Sequence, residues 1–203
     1  MQLINKKVIE YVNDVDSDLP SPGGGSVASL VGALGVALAK MAGHFSVTKK
    51  KFKEAEIIKQ NKFILAFKEL EHNKDLLVKG VDDDAISYES VIDAFKSKDE
   101  QAISNALHTS ALVAYDIQKS SLDALYYVEK MIELCNKNLY SDLISAAILL
   151  AACNEMSSLN VHANANGLKN EELKNKFIIE SNEMVKKSKT LKNKILRSVA
   201  KHQ

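Results

Sequence analysis

The sequence predicts an all-α protein: an up-and-down multi-helix bundle that dimerises, built as one domain over residues 1–203. Three observations predict it. Strand signals are nearly absent, with no sustained period-two alternation and no Asn-Gly or Asp-Gly turn set between two alternating segments. Helical periodicity is nearly continuous. Two segments, Val27 to Ala42 and the run around Ala146, Ala147, Leu149, Leu150 and Ala151, are apolar on all sides. Helices of that kind must be covered all round, which in a chain of 203 residues favours a bundle with a dimer interface.

A first short helix is expected from Ile4 to Asn13, with Leu3, Val8 and Val12 on one face. Both prolines and three of the eight glycines then fall in Leu19-Pro20-Ser21-Pro22-Gly23-Gly24-Gly25-Ser26. The small-residue helix follows from Ser26 to Phe45, where Gly32 and Gly35 thin its surface for close neighbours. A long helix from Lys49 to Lys79 carries Phe52, Ile58, Phe63, Phe67 and Leu70, with Gly80 as a break or bend. The next helix, Asp82 to Ser97, carries Ala85, Tyr88, Val91, Ile92 and Phe95. Another spans Asp99 to Leu134. Asn136-Lys137-Asn138 reads as a turn, with Ser141 capping a helix that runs to Asn164 and ends at Asn166-Gly167 by a left-handed cap. The last helix, Glu171 to Lys201, is amphipathic through Leu173, Phe177, Met184, Leu191 and Ile195.

Composition narrows the function. A net charge of +1 supplies no broad field for nucleic acid or an anionic membrane, and no aromatic–basic interleaving offers a stacking platform for bases. Cys135 and Cys153 lack metal-ligand spacing and form no disulfide framework. The first residues, Met1-Gln2-Leu3-Ile4-Asn5-Lys6, lack a signal-peptide core, so the cytoplasm is the expected compartment. Val27–Ala42 carries Ser29, ends near Lys40 and is short for a membrane span, so it reads as a core helix. His44, His72, His108, His162 and His202 show no H-x-x-x-H spacing, and no metal is expected. A G-x-S-x-G elbow, G-x-G-x-x-G and the phosphate-binding G-x-x-x-x-G-K-[ST] are all missing.

The Pro/Gly loop is the first place to look for a site. Prolines fix φ, while successive glycines permit close backbone approach, and N–H groups at a helix start can face a polar ligand. Ser26 could equally be a simple N-cap. Asp82-Asp83-Asp84 could serve only to stabilise a helix N-terminus. Asp84 and Tyr88, however, are four apart and share a face; if that face is buried, the Asp84 carboxyl is desolvated and its pKa rises toward a value useful for proton transfer. Ser141-Asp142 reads as a capping pair or a pocket wall. Asn160 and Asn164 share one face of an apolar helix, and buried asparagines need partners. Lys49-Lys50-Lys51 is unfavourable at a helix start and fits gripping a carboxylate tail.

Five segments together resemble the formiminotransferase-cyclodeaminase C-terminal family. They are Pro22-Gly23-Gly24-Gly25-Ser26-Val27-Ala28, Thr48-Lys49-Lys50-Lys51-Phe52, Val81-Asp82-x-Asp84-Ala85-x-x-Tyr88, Asn136-x-x-x-x-Ser141-Asp142 and Asn160-Val161-x-x-Asn164, in the family's order and spacing. The resemblance implies a dimeric helical bundle with folate sites near the subunit interface. It implies conversion of 5-formimino-tetrahydrofolate to 5,10-methenyl-tetrahydrofolate and ammonia, or methenyl-tetrahydrofolate cyclohydrolase activity in stand-alone relatives. A fold kept for folate binding or scaffolding alone is the remaining alternative. The second Asp of V-D-x-D-A, here Asp84, is implied as the catalytic carboxylate, with no cofactor beyond the tetrahydrofolate substrate. Substrate contacts are implied for Gly23, Gly24, Gly25, Ser26, Asp82, Tyr88, Asp142, Asn160 and Asn164, and Lys49 and Lys50 for a polyglutamate tail. Cys135, Ala114, Met156, Ser157 and Ala163 depart from the family pattern, as do His44 and Phe45.

Overall fold

The computed structural model describes residues 2–201; His202 of the sequence reading lies outside them. A single 3-10 turn at Leu3–Asn5 precedes α1 (Val8–Val15). There follow α2 (Gly24–Val47), α3 (Lys50–Lys53), α4 (Ile57–Ser97), α5 (Glu100–Met131), α6 (Tyr140–Asn166) and α7 (Glu171–Ala200). Among the described residues no strand occurs. The all-α expectation holds.

Helix ends follow local chemistry. Lys98 takes the left-handed conformation at φ 58° between α4 and α5. Asp99 then starts α5 by accepting from the Gln101 and Ala102 N–H groups, and Asn170 starts α7 by accepting from Leu173. Asn136 accepts from the Asn138 N–H in the turn that leads into α6.

Helices α2, α4, α5 and α6 form the bundle, and α7 packs across α5 and α6. Its core holds Val36, Leu70, Leu77, Leu125, Leu143 and Leu150. The thinning expected at Gly32 and Gly35 is real. A Cβ on Gly35 would fall 3.1 Å from the Ala146 main-chain oxygen, and one on Gly32 2.7 Å from Cys153 Sγ, so α2 and α6 meet nearly backbone to backbone. Both helices have the length and apolarity of a membrane span, yet 56% and 50% of their most apolar windows are buried within the bundle.

Several boundaries differ from the sequence expectations. The helix expected from Lys49 to Lys79 is interrupted after Lys53 and resumes at Ile57, then continues through Gly80 to Ser97 without a break. Gly80 serves close packing instead: a Cβ there would fall 2.9 Å from Ile117 and overlap the Ser29 hydroxyl. Asp82–Asp84 therefore lie in the middle of a 41-residue helix, and the expected dipole role has no helix start to act on. Gly167 has φ −81°, right-handed rather than left-handed. Its missing Cβ admits Leu107, whose Cδ1 would otherwise be 2.8 Å away. Ser141 does not cap α6, which begins one residue earlier with Leu139 at the N-cap. The apolar face of the first helix is not core either, since Val8 is 82% exposed and only Tyr11 of α1 is buried. Val8, Val12 and Val15 instead border an apolar cavity of about 570 Å³, closed on its other side by Val27, Leu30 and Val81.

Candidate functional site

The second and more polar cavity of interest, about 290 Å³, opens at the N-terminal end of α2. The Pro20–Gly25 loop forms one wall, Asp84 and Tyr88 of α4 a second, Ser110 of α5 the floor, and Asn160 and Asn164 of α6 the third wall. The first N–H groups of α2 have no intrahelical acceptor, and that of Ser26 donates to the Asp84 carboxyl. Gly23, the N-cap, is extended, and a Cβ on Gly23 or Gly24 would meet nothing within 4 Å.

Gly25 is different. A Cβ there would overlap the Asp84 carboxyl, with Oδ2 2.7 Å away. The glycine lets the α2 backbone seat directly on the carboxylate. Burial pushes the Asp84 carboxyl above the ordinary carboxylate range, and a hydrogen bond from the Ser26 main-chain N–H partly offsets that shift. Ser26 is an anchor rather than an N-cap. Its buried hydroxyl donates to the Val81 main-chain oxygen at 2.8 Å and lies 2.9 Å from the Tyr11 hydroxyl. The clamp therefore ties α1, α2 and α4 together around one carboxyl group.

A hydrogen-bonded line links the other walls. Asn164 Nδ2 donates to Ser110 Oγ at 3.0 Å, and Ser87 Oγ lies 3.3 Å beyond. Ser87 Oγ in turn donates to the Asp84 main-chain oxygen at 2.9 Å. Asn160 Nδ2 donates to the Met156 main-chain oxygen at 3.1 Å, leaving its amide oxygen as the free end.

The expected residues Gly23, Gly24, Gly25, Asp84, Tyr88, Asn160 and Asn164 all border this cavity, and Ser26 reaches it through its N–H. Asp82 does not line it; its carboxylate accepts from the Leu3 main-chain N–H and fastens the N-terminal segment to α4. Asp83, one residue on, pairs with Lys79 at 2.7 Å. Lys49, Lys50 and Asp142 lie at the far end of the bundle. The 24 residues of α2 separate the lysines from Gly25 by roughly 35 Å, and Asp142 is about 18 residues, or roughly 27 Å, along α6 from Asn160. At that far end the Asn136 N–H donates to Ser46 Oγ at 2.8 Å, and Cys135 senses the charges of Lys51 and Asp142. Burial is the largest influence on the Cys135 thiol and raises its pKa.

Pro20 and Ser21, within the loop singled out from the sequence, also line the cavity, while sequence reasoning missed Ser110 there and Tyr11 behind it. No sequence signal marks Ser110, a serine inside a helix. Tyr11 was findable as the polar-tipped aromatic of an otherwise aliphatic face. A lone desolvated carboxylate in a polar cavity can give and take a proton. Among the described residues, no three His, Cys, Asp or Glu side chains converge as metal ligands would.

The sequence profile described as formiminotransferase-cyclodeaminase matches residues 7–183. A methenyltetrahydrofolate cyclohydrolase from Methylorubrum extorquens is 29% identical over 174 residues, 81% of each chain. A formimidoyltransferase-cyclodeaminase from Gallus gallus is 34% identical over 94 residues, 46% of this chain but 17% of that protein. The crystal structure of a formiminotetrahydrofolate cyclodeaminase from Thermotoga maritima superposes with a TM-score of 0.89 at 27% identity, covering 98% of both chains.

Proposed function

The chain belongs to the formiminotransferase-cyclodeaminase family, and from that premise we propose that it cyclises 5-formimino-tetrahydrofolate to 5,10-methenyl-tetrahydrofolate with release of ammonia. The observation that carries this reading is Asp84, a single carboxyl of raised pKa seated on Gly25 at a polar cavity. N10 attacks the formimidinium carbon to give a tetrahedral centre carrying an amino group. The Asp84 carboxylate takes the proton from N10 and delivers it to the amino nitrogen. Ammonia departs and the methenyl cation remains. One proton moves in and out through one group, so one carboxyl suffices.

The relative from Methylorubrum extorquens favours a second reading, methenyl-tetrahydrofolate cyclohydrolase. There water adds to the methenyl carbon, Asp84 takes one water proton and passes it to N5 as the C–N5 bond breaks, and the remaining hydroxyl proton is released to solvent to give the 10-formyl product. Both reactions place the same carboxyl beside the same carbon.

The apolar outer face of α2 and α6 supports a homodimer. Leu34 (53% exposed) and Phe45 (55%) are eleven residues apart, hence on one side of α2, as Ile148 (48%) and Leu159 (72%) are on α6. A second copy packed antiparallel on that face carries its own far end toward this cavity. The partner's Lys49, Lys50 and Asp142 then face the substrate tail, which explains why one chain alone keeps them far from Asp84. Polyglutamylated substrate would complement the lysines.

The deciding experiment follows the near-ultraviolet absorbance of the methenyl chromophore. Its appearance with ammonia from 5-formimino-tetrahydrofolate supports the cyclodeaminase. Its loss from supplied methenyl-tetrahydrofolate, faster than the uncatalysed rate and without activity on the formimino compound, moves the assignment to the cyclohydrolase. Ligand binding without either change supports a non-catalytic folate-binding protein.

A further inference from the structure

Ser110 is 3% exposed, yet its hydroxyl faces the cavity, and it is the residue that α5 contributes there. It accepts from Asn164 on one side and sits within hydrogen-bond reach of Ser87 on the other, so it joins α6 to the turn of α4 that carries Asp84. Asn160 has the same arrangement by another route, its amide nitrogen spent on the Met156 carbonyl, a group that can only accept. Two amides four residues apart on one helix face thus each give one N–H to the protein, which fixes the amide plane and keeps the oxygen for a ligand. Across the cavity, Gly23, Gly24 and Gly25 line the wall and the Ser26 N–H is held by the Asp84 carboxyl. The asparagine oxygens thus belong to one wall and the Asp84 carboxyl to another.

We propose that Ser110 is a positioning residue that fixes the Asn164 amide, so that Asn160 and Asn164 together present two acceptor oxygens to adjacent N–H groups of a bound heterocycle. A reduced pterin carries such an edge in its 2-amino, N3–H and N8–H groups. The p-aminobenzoyl-glutamate part does not, and it meets neither asparagine. This assignment rests on the folate reading above and specifies which half of the substrate the α6 wall recognises.

The test compares the protein with its Ser110→Ala and Ser110→Thr variants. Tetrahydrofolate, a tetrahydropterin lacking the tail, and p-aminobenzoyl-glutamate are each titrated as inhibitors of turnover. Loss of one neutral hydrogen bond predicts that Ser110→Ala weakens the tetrahydropterin roughly three- to tenfold and raises KM similarly. Inhibition by p-aminobenzoyl-glutamate and kcat stay near wild type, and Ser110→Thr recovers most of the loss. Equal weakening of both fragments, unchanged tetrahydropterin inhibition in Ser110→Ala, or no inhibition of the wild type by tetrahydropterin overturns the assignment. A wild-type protein that neither binds nor turns over tetrahydrofolates overturns the folate reading itself, which is a separate result.

Discussion

Gly25 and Asp84 are in direct contact across α2 and α4: the carboxyl group occupies the space where any other residue at 25 would place its Cβ. Three consecutive glycines thus have unequal roles. Only the third is fixed by packing. The first two face open space, and none of the glycines has positive φ.

Gly25→Ala should displace the Asp84 carboxyl, lower stability by about 1–3 kcal/mol as overpacking does, and abolish most turnover. Gly24→Ala meets no atom and lies in a helical turn, so it should be neutral or stabilising by roughly 0.4–1 kcal/mol. Thermal melts of both variants, read beside turnover, check the pair. A Gly25→Ala protein with wild-type melting and activity would show that Asp84 does not rely on this contact.

Asp84→Asn separates catalysis from stability. Removing a general acid–base group should lower kcat by on the order of 10²–10⁴. The stability change has the opposite sign. Burial raises the Asp84 pKa in the folded protein above its unfolded value, so between those two values the native state holds more protons than the unfolded one. Wild-type stability therefore falls as pH rises through that window, and above it the buried charge is a standing cost. The asparagine carries no charge. Its melting temperature should exceed wild type at pH 7, and the gain should shrink as pH falls through that window and vanish by about pH 4, the unfolded aspartate value. An asparagine variant less stable than wild type at pH 7 would contradict a desolvated carboxylate at this position.

The fold was legible because its determinants are local and periodic. Two helices apolar on every side, glycines at Gly32 and Gly35, and a lack of strand alternation suffice for an all-α bundle. What the sequence left hidden depends on tertiary contact. Gly80 and Gly167 look like a breaker and a cap but serve close approach to Ile117 and Leu107. The 41-residue α4 runs through Gly80 because neighbours on both sides bury that turn. At the site, the i to i+4 pairs Asp84–Tyr88 and Asn160–Asn164 were readable from helical spacing. Ser110 was not, since it matters only through a partner distant in sequence. Lys49, Lys50 and Asp142 carry no positional information until the length of α2 and α6 sets them at the other end.

If the chain dimerises as proposed, the outer face of α2 and α6 should form the interface. Leu34→Arg with Ile148→Arg alters two side chains that are about half exposed in the single chain, so the fold should persist with its circular dichroism unchanged. Light scattering should report a monomer, and turnover should drop at least tenfold if the partner supplies part of the site. A double variant that stays dimeric would move the interface elsewhere. A monomer with full activity would remove the partner from the site.

Complementation tests the shared site without disturbing the interface. In the proposed homodimer, Asp84→Asn would remove the proposed proton-transfer group from both sites, and Lys49→Ala/Lys50→Ala the proposed tail contacts from both. If each site joins Asp84 of one chain to the lysines of the other, a mixed dimer restores one intact site and sacrifices both defects to the second. Exchange of subunits between the two inactive proteins should then regain activity, measured at low concentrations of polyglutamylated substrate where the lysines matter most. If instead each chain used its own lysines, every mixed dimer would hold one site of each defective kind, and mixing would recover nothing. The separation of roughly 35 Å along α2 between Gly25 and Lys49 makes recovery the expected result.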